Sequence, residues 1–329
     1  MKRRSLLVAG LAAPAVIHAP ASWGQSGGQA AWPAKTVRFI CPFAPGGGTD
    51  TVSRLMCDQL TKLLGQQFVV ENKGGAGGNI GTAELARATP DGYTLGLISV
   101  ASHTLNPMLY SKLPYNPDKD IVGVSRVALL ANLLGVTPSL PANNVAELIQ
   151  LCKKEPGKYS FASSGPGTSL HLSGELFKKM AGVDIIHVPY KGAGPVYHDL
   201  MAGTVNMMFA NMPSMLPHVR AGKLKGLGVT SAQRSKAAPD IPAIAETLPG
   251  YVATSWYGIG APAGTPEPIL AKLEGAIAEA LKAPDIQKRW NDDLGLDMPP
   301  PGRKGFDEFV AEDRKLWAPA VQASGVKLD

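Results

Sequence analysis

The 329-residue chain carries 32 Lys and Arg against 26 Asp and Glu, a formal net charge of +6, with an ordinary apolar content of 45%. That length is too great for one small core and suits two domains, while a weak basic excess without a long basic run argues against a dedicated nucleic-acid surface. Three cysteines leave at least one thiol unpaired within the chain and match no zinc-ligand spacing.

The first segment differs from the rest. Lys2, Arg3 and Arg4 precede an apolar run from Leu6 to Ile17, followed by small and polar residues. A basic region, a short apolar region and a small-residue cleavage zone together read as an export signal over residues 1–30. The run falls short of the about 20 residues a membrane span needs. The mature chain is expected to begin between Ser22 and Ala31, free in the periplasm. The route is either the general one or the twin-arginine one, since Arg3 and Arg4 permit both. Without the signal, 29 bases face 26 acids, a net charge of +3.

Strand-like and helix-like segments then alternate. TVRFIC is a short β-rich run; TVSRLMCDQLTKLLG places Val52, Leu55, Met56, Leu60, Leu63 and Leu64 at helical spacing, with Gly65 as a stop. QFVVEN, a helix from Ile80 to Ala88 and YTLGLIS complete a β-α-β-α-β unit, whose unbroken apolar strands imply a parallel sheet covered on both faces. A second set follows: helix VAELIQLCKK, strand YSFASS, helix SLHLSGELFKKMAG, strand DIIHVPY, helix PVYHDLMAG, and strands VNMMFA and KLKGLGVT. The methionines of VNMMFANMPSM alternate as in a strand and read as core. The C-terminal part is helical by pattern. Two extended segments, residues 127–142 and 255–266, bracket the second set and read as crossings between domains.

Three glycine-rich stretches, CPFAPGGGTD, NKGGAGGNIGT and ASSGPGTSLH, each follow a strand and open a helix. In a parallel α/β sheet that places them at the carboxyl edge, where ligands bind. A helix start offers unpaired N–H groups and partial positive charge, and glycine admits a ligand close to the backbone. Any one such loop is also a plain capped turn; three at one edge favour an anion site. Caps are expected at Thr49 or Asp50 and at Thr168 or Ser169, with Ser163 and Ser164 as hydroxyl donors and Asn79 near the third loop. Neither a P-loop nor a G-x-G-x-x-G is completed, so no nucleotide cofactor is expected. Few basic residues lie in the loops, which suits a carboxylate better than a polyphosphate.

Enzyme motifs are poor: neither G-x-S-x-G nor H-E-x-x-H occurs. His171 and Glu175 lie four apart on one helix, and His171 sits one turn inside the helix opened by SSGPGT. Lys191 is placed to bring charge to the cleft, or simply to solvate a turn. Asn211 ends a strand. The cysteines read as small buried hydrophobes; Cys41 and Cys57 are the pair close enough along the chain to meet.

PFAPGGGTD, VVENKGGAGGNIGT, ATPDGYTL, PGKYSFASSGPGTSLHLSGELFK, HVPYKGAGP and the closing SGVKLD, in that order, resemble the Bug-type extracytoplasmic solute receptors, the binding components of tripartite tricarboxylate transporters. The likeness runs from about Trp32 to Asp329. It implies an α/β fold of the type II periplasmic-binding-protein class: two doubly wound lobes, two crossover strands and a cleft between them. The expected division is residues 31–130 plus 256–329 for lobe 1 and 131–255 for lobe 2. It further implies a small organic acid as ligand, membrane subunits of such a transporter as partners, a monomeric receptor, no catalysis and no cofactor. Matching motif positions carry over as ligand contacts: Phe43, Ala44, Gly46, Gly47, Gly48, Thr49 and Asp50 in the first loop, and Ser163, Ser164, Gly165 and Thr168 in the second. Asn79, His171, Lys191 and Asn211 extend the set. A secreted hydrolase using His171 or His198, and a sensor that docks a receptor's outer domain, are the competing readings.

Overall fold

Val37–Cys41 (β1) is apolar at nearly every position and almost wholly covered, which a strand achieves only with layers on both faces. It opens the computed structural model, which describes residues 32–328; the expected export signal and its cleavage zone lie outside the described residues. In chain order there follow α1 (Gly48–Leu64), β2 (Phe68–Asn72), α2 (Asn79–Ala86), β3 (Thr94–Ser99), a π-helical turn leading into α3 (Asn106–Leu109), α4 (Pro117–Asp120) and β4 (Ile121–Val136). Next come α5 (Val145–Lys154), β5 (Ser160–Ser163), α6 (Ser169–Ala181), β6 (Ile186–Pro189), α7 (Gly194–Ala202), β7 (Met207–Asn211), α8 (Met212–Arg220) and β8 (Lys225–Val229). The chain closes with β9 (Thr254–Pro262), α9 (Glu267–Lys282), α10 (Pro284–Lys288), β10 (Leu296–Asp297) and α11 (Phe306–Ser324).

The strands form a continuous sheet ordered β2-β1-β3-β9-β4-β7-β5-β6, with β8 and β10 also paired to β4. The expected parallel pairing holds at both ends, where β1 lies between β2 and β3 and β5 between β6 and β7. It fails at the centre. There β9 runs antiparallel to β3 and to β4, and β4 runs antiparallel to β7. Most of each extended segment is therefore strand; β9 stops at Pro262, and β4 begins earlier than expected, at Ile121, and stops at Val136. Its residues Ile121–Ala131 pair with β9, and Asn132–Val136 pair with β7. One strand thus carries the ladder from one half of the sheet to the other.

One large core spans both halves, joining Ile40, Leu85 and Ile98 to Phe161, Phe177 and Phe209, and each half adds a cluster of its own. Helix α1 turns Val52, Met56 and Leu60 onto Phe39, Leu97 and Trp290, and ends at Gly65, whose φ of 71° suits glycine. Each such fully buried side chain contributes about 1.5–3 kcal/mol. In the other half, Met208, Met212, Met215 and Leu216 pack with Val196 and Leu200. The methionine stretch is not all strand: β7 stops at Asn211 and α8 starts at Met212, with Pro213 in its first turn. Proline fits there because its missing N–H had no partner to lose. All three cysteines are buried and free, so Cys41 and Cys57 do not pair.

Candidate functional site

The first glycine loop joins β1 to α1. Gly47 caps the helix in an extended conformation, and no side chain bonds the free N–H groups of the first turn. This corrects the cap expected at Thr49 or Asp50. Asp50 lies inside the helix, and its carboxylate turns back to accept from the Gly46 N–H at 3.0 Å, from Asn72 Nδ2 at 2.9 Å and from Arg54 Nε at 3.1 Å. Burial pushes this carboxyl up, but Arg54, the Gly46 N–H and Asn72 outweigh it and hold Asp50 below the usual carboxylate range. Asn72 also donates to the Phe43 carbonyl at 2.9 Å. The loop is thus tied from beneath, and the α1 amides, which have no intrahelical partners, stay open above.

The second loop joins β5 to α6 and is tied without charge. Thr168 is the cap, as expected; its hydroxyl accepts from the His171 N–H and donates to the Gly165 carbonyl at 2.7 Å. Ser163 Oγ accepts from the Gly165 N–H at 3.1 Å and lies 2.7 Å from His187 Nε2. His171 Nδ1 accepts from the Gly167 N–H at 3.3 Å, and its ring stacks on His187 with centroids 4.0 Å apart. Burial, the neighbouring His187 and Lys178 lower the His171 pKa to about 3, and burial with Lys178 lowers that of His187 to about 4. Both rings are neutral at ordinary pH. The contact of His171 with Glu175, at 3.8 Å, is accordingly not an ion pair.

In the third loop Asn79 is buried, and its Oδ1 accepts from Asn106 Nδ2 at 2.7 Å and from Tyr115 Oη at 3.1 Å. It ties the α2 start to the α3 region instead of reaching outwards. The glycines of this loop have a further role. A Cβ on Gly77 would collide with the carbonyl oxygen of Pro166, and one on Gly194 with that of Pro45. A Cβ on Gly74 would lie 2.8 Å from the Lys191 carbonyl oxygen, and one on Gly192 would lie 2.8 Å from Ala44 N. Loops from the two halves therefore meet backbone to backbone, a closeness that side chains would forbid. The Lys191 side chain is exposed.

Between these loops lies a small cavity, with about 20 Å³ of room for the centres of water-sized molecules. Of the expected contacts, Phe43, Gly47, Gly48, Thr49, Ser164, Thr168 and Asn211 line it. Ala44, Gly46, Asp50, Asn79, Ser163, Gly165, His171 and Lys191 lie outside the lining and either shape the loops or bridge them. Ser99, Val100, Ala101, Ser169, Leu170, Ala193, Ser255 and Tyr257 also line it and escaped the sequence reading. Strand alternation was the signal that could have found two of them. Ser255 and Tyr257 point to the cavity, whereas Trp256 between them points away and donates to Asp313 Oδ2 at 2.8 Å. Among the described residues no charged side chain lines the cavity. What remains is chemistry suited to an anion: open amides at one helix start, hydroxyls at another, and an apolar wall. Asn211 is steadied by its Nδ2, which donates to Asn132 Oδ1 at 2.7 Å. The side chain of His198, the other hydrolase candidate, is 89% exposed, and the residue is not part of the cavity lining. Among the described residues no group of three or more His, Cys, Asp or Glu is placed to hold a metal ion, and no helix is long and apolar enough to cross a membrane.

Comparison with known proteins gives a consistent result. Residues 52–326 match the family described as the tripartite tricarboxylate transporter family receptor. The structure of Rpa4515 from R. palustris, solved with adipate, is 35% identical with a TM-score of 0.87, covering 90% of this chain and 99% of that one. Periplasmic binding protein BugD is 33% identical, with a TM-score of 0.86 over 90% of this chain and 99% of its own. MatC from Rhodopseudomonas palustris, solved with malate, is 34% identical, with a TM-score of 0.83 over 88% of this chain and all of that one.

Proposed function

This chain belongs to the tripartite tricarboxylate transporter receptor family, and we propose that it captures a small organic acid in the cavity between its glycine loops and passes it to the membrane subunits of such a transporter. The family is one of receptors, so the activity is binding and not hydrolysis. The observation that carries the ligand class is the lining itself: open amides at the α1 start, hydroxyls at the α6 start and no charged side chain among the described residues. An ionised carboxylate suits such donors, since hydrogen bonds to a charged acceptor are roughly twice as strong as neutral ones. The relatives solved with adipate and with malate support the same class.

In this reading the body works as two lobes. Lobe 1 comprises the chain up to about residue 130 together with the part from β9 onwards, and lobe 2 comprises the stretch between. β4 and β9 are the crossings. Opening about them separates the apposed loops, and a ligand that touches both loops favours the closed state. The receptor acts as a monomer in the periplasm, having been exported by its N-terminal segment.

The test is a melting series with adipate, malate and other small organic acids. An acid at about 100 times its Kd adds about 2.7 kcal/mol of stability and raises Tm accordingly. Gly47→Val should abolish that rise, because a Cβ at Gly47 already meets the Ala193 Cβ at 3.3 Å and a branched side chain would cover the amides. An acid that stabilises this variant as well as the wild type would sink the site assignment.

A further inference from the structure

We propose that Tyr257 selects the ligand in this cavity, its phenol O–H donating to an acceptor oxygen that the ligand lays beside the start of α1. The inference rests on the reading of the cavity as an acid site. Tyr257 is 1% exposed, and its hydroxyl has no hydrogen-bond partner among the described residues. Other deeply buried tyrosines are satisfied: Tyr197 bonds Ser214 at 2.6 Å, Tyr251 bonds the Ser173 carbonyl at 2.8 Å, and Tyr115 bonds Asn79. Native proteins rarely leave such a group unpaired, and the exceptions call for a cause. Here the orphan hydroxyl borders the cavity, on the central strand β9, opposite Ser99 of β3.

Its position identifies the partner. A Cβ on Gly48 would lie 3.0 Å from Tyr257 Oη, so the hydroxyl shares the mouth of α1 with that helix's unpaired amides. Burial raises the phenol pKa far above its ordinary value, so the group is a proton donor at any physiological pH. Donors converging on the positive end of a helix accept an oxygen and repel an ammonium. Among the described residues no Asp or Glu lines the cavity to pair an amine. The ligand class that fits is a carboxylic acid without an ammonium beside its gripped carboxylate. The bare Cα of Gly48 leaves room for both the ligand oxygen and the phenol.

The test is calorimetric titration of wild type and Tyr257→Phe with adipate, malate and aspartate, together with melting of the ligand-free proteins. The ligand-free variant should melt at or above the wild type, since an unpaired hydroxyl is removed from apolar surroundings. Its Kd for the better-bound of adipate and malate should rise by about ten- to a hundred-fold. Aspartate, which is malate with an ammonium in place of the hydroxyl, should bind the wild type at least about tenfold more weakly than malate. Gly48→Ala, which crowds Tyr257 and Asn211, should weaken the acids as Tyr257→Phe does. Equal Kd values for wild type and Tyr257→Phe would overturn the assignment while leaving the acid site standing, and tighter binding of aspartate than malate would overturn the ligand class. If none of the three binds the wild type, the acid reading of the cavity fails, and this inference fails with it.

Discussion

The two loops that open α1 and α6 present similar bare backbone but are held by opposite chemistry. The first is clasped by an ionised Asp50, which gathers the Gly46 amide, Asn72 and Arg54 beneath the loop. The second is clasped by neutral groups: Ser163, Thr168 and the stacked rings of His171 and His187. The first leaves the α1 amides open, whereas Thr168 caps α6 and hydroxyls border the cavity there, so loop sequence alone does not reveal how the loop is held. The difference lies in what breaks each one. A charged clasp fails when its carboxylate is removed or protonated, and a neutral clasp fails when its imidazoles gain a proton.

The largest effect should come from the charged clasp. Asp50→Ala removes the acceptor of the Gly46 amide, one of the two acceptors of Asn72 and the carboxylate beside Arg54, which keeps its bond to Asn72, and should cost about 2–3 kcal/mol in urea denaturation. A loss below about 1 kcal/mol would mean that Asp50 does not hold the loop. The neutral clasp should respond next, through pH. The folded pKa values of His171 and His187, about 3 and about 4, lie below the ordinary histidine value of 6.5. The unfolded chain therefore binds protons that the folded one refuses. The associated stability is complete above pH 6.5 and is lost as pH falls through the window from 6.5 towards those folded values. A fall of about 2 kcal/mol between pH 6.5 and 5.5 is expected from the pair. Asp50 behaves differently, since its lowered pKa keeps its contribution intact until pH drops below the ordinary carboxylate range. His103, buried and neutral with a pKa of about 3, titrates in the same sense as the pair, so the second loop is read from the difference between wild type and His187→Gln. An unchanged pH slope in that variant would erase the contrast between the loops.

Ser163→Ala should cost about 1 kcal/mol, because it removes the acceptor of the Gly165 amide and the partner of His187. Its effect on ligand affinity should equal or exceed its effect on stability; the reverse would make Ser163 a packing residue with no part in shaping the site. The smallest effect should be that of salt. The Arg54 side chain is 51% exposed, so screening of its pair with Asp50 by 0.5 M salt should change stability by less than about 0.5 kcal/mol. A larger change would place more of the first clasp in long-range charge than its short hydrogen bonds indicate.

Much of the fold was legible. Helix α1 announces itself through Val52, Leu55, Met56 and Leu60 and stops where Gly65 turns left-handed. The alternation of β1, α1, β2, α2 and β3 follows from period and punctuation. Helix α8 was missed because Met212 and Met215 continue the apolar look of β7, and a short apolar run does not distinguish strand from helix. The antiparallel centre was missed because strand direction is set by the partner and not by the strand. The site was legible at its glycines. Asn79 and His171 were placed on the right elements but turned to their neighbours, since orientation depends on Asn106, Tyr115 and Gly167, which come from elsewhere in the chain or across the loop.

By itself the sequence determined the alternation of strands and helices through β3, most of the later elements, the three glycine loops at helix starts and the family to which the chain belongs. The elements and the loops depend on spacing and backbone permissiveness within a few residues, and the family on a resemblance carried by many motifs in order. Only the tertiary structure decided that Tyr257 and Ser99 border the same cavity, that Gly77 meets Pro166 and Gly194 meets Pro45, and that Asp50 faces away from the space it helps to shape. These contacts join residues far apart in the chain. Closing the loops between them costs entropy that no local pattern records, and it is recovered only when the shared core and the sheet form together.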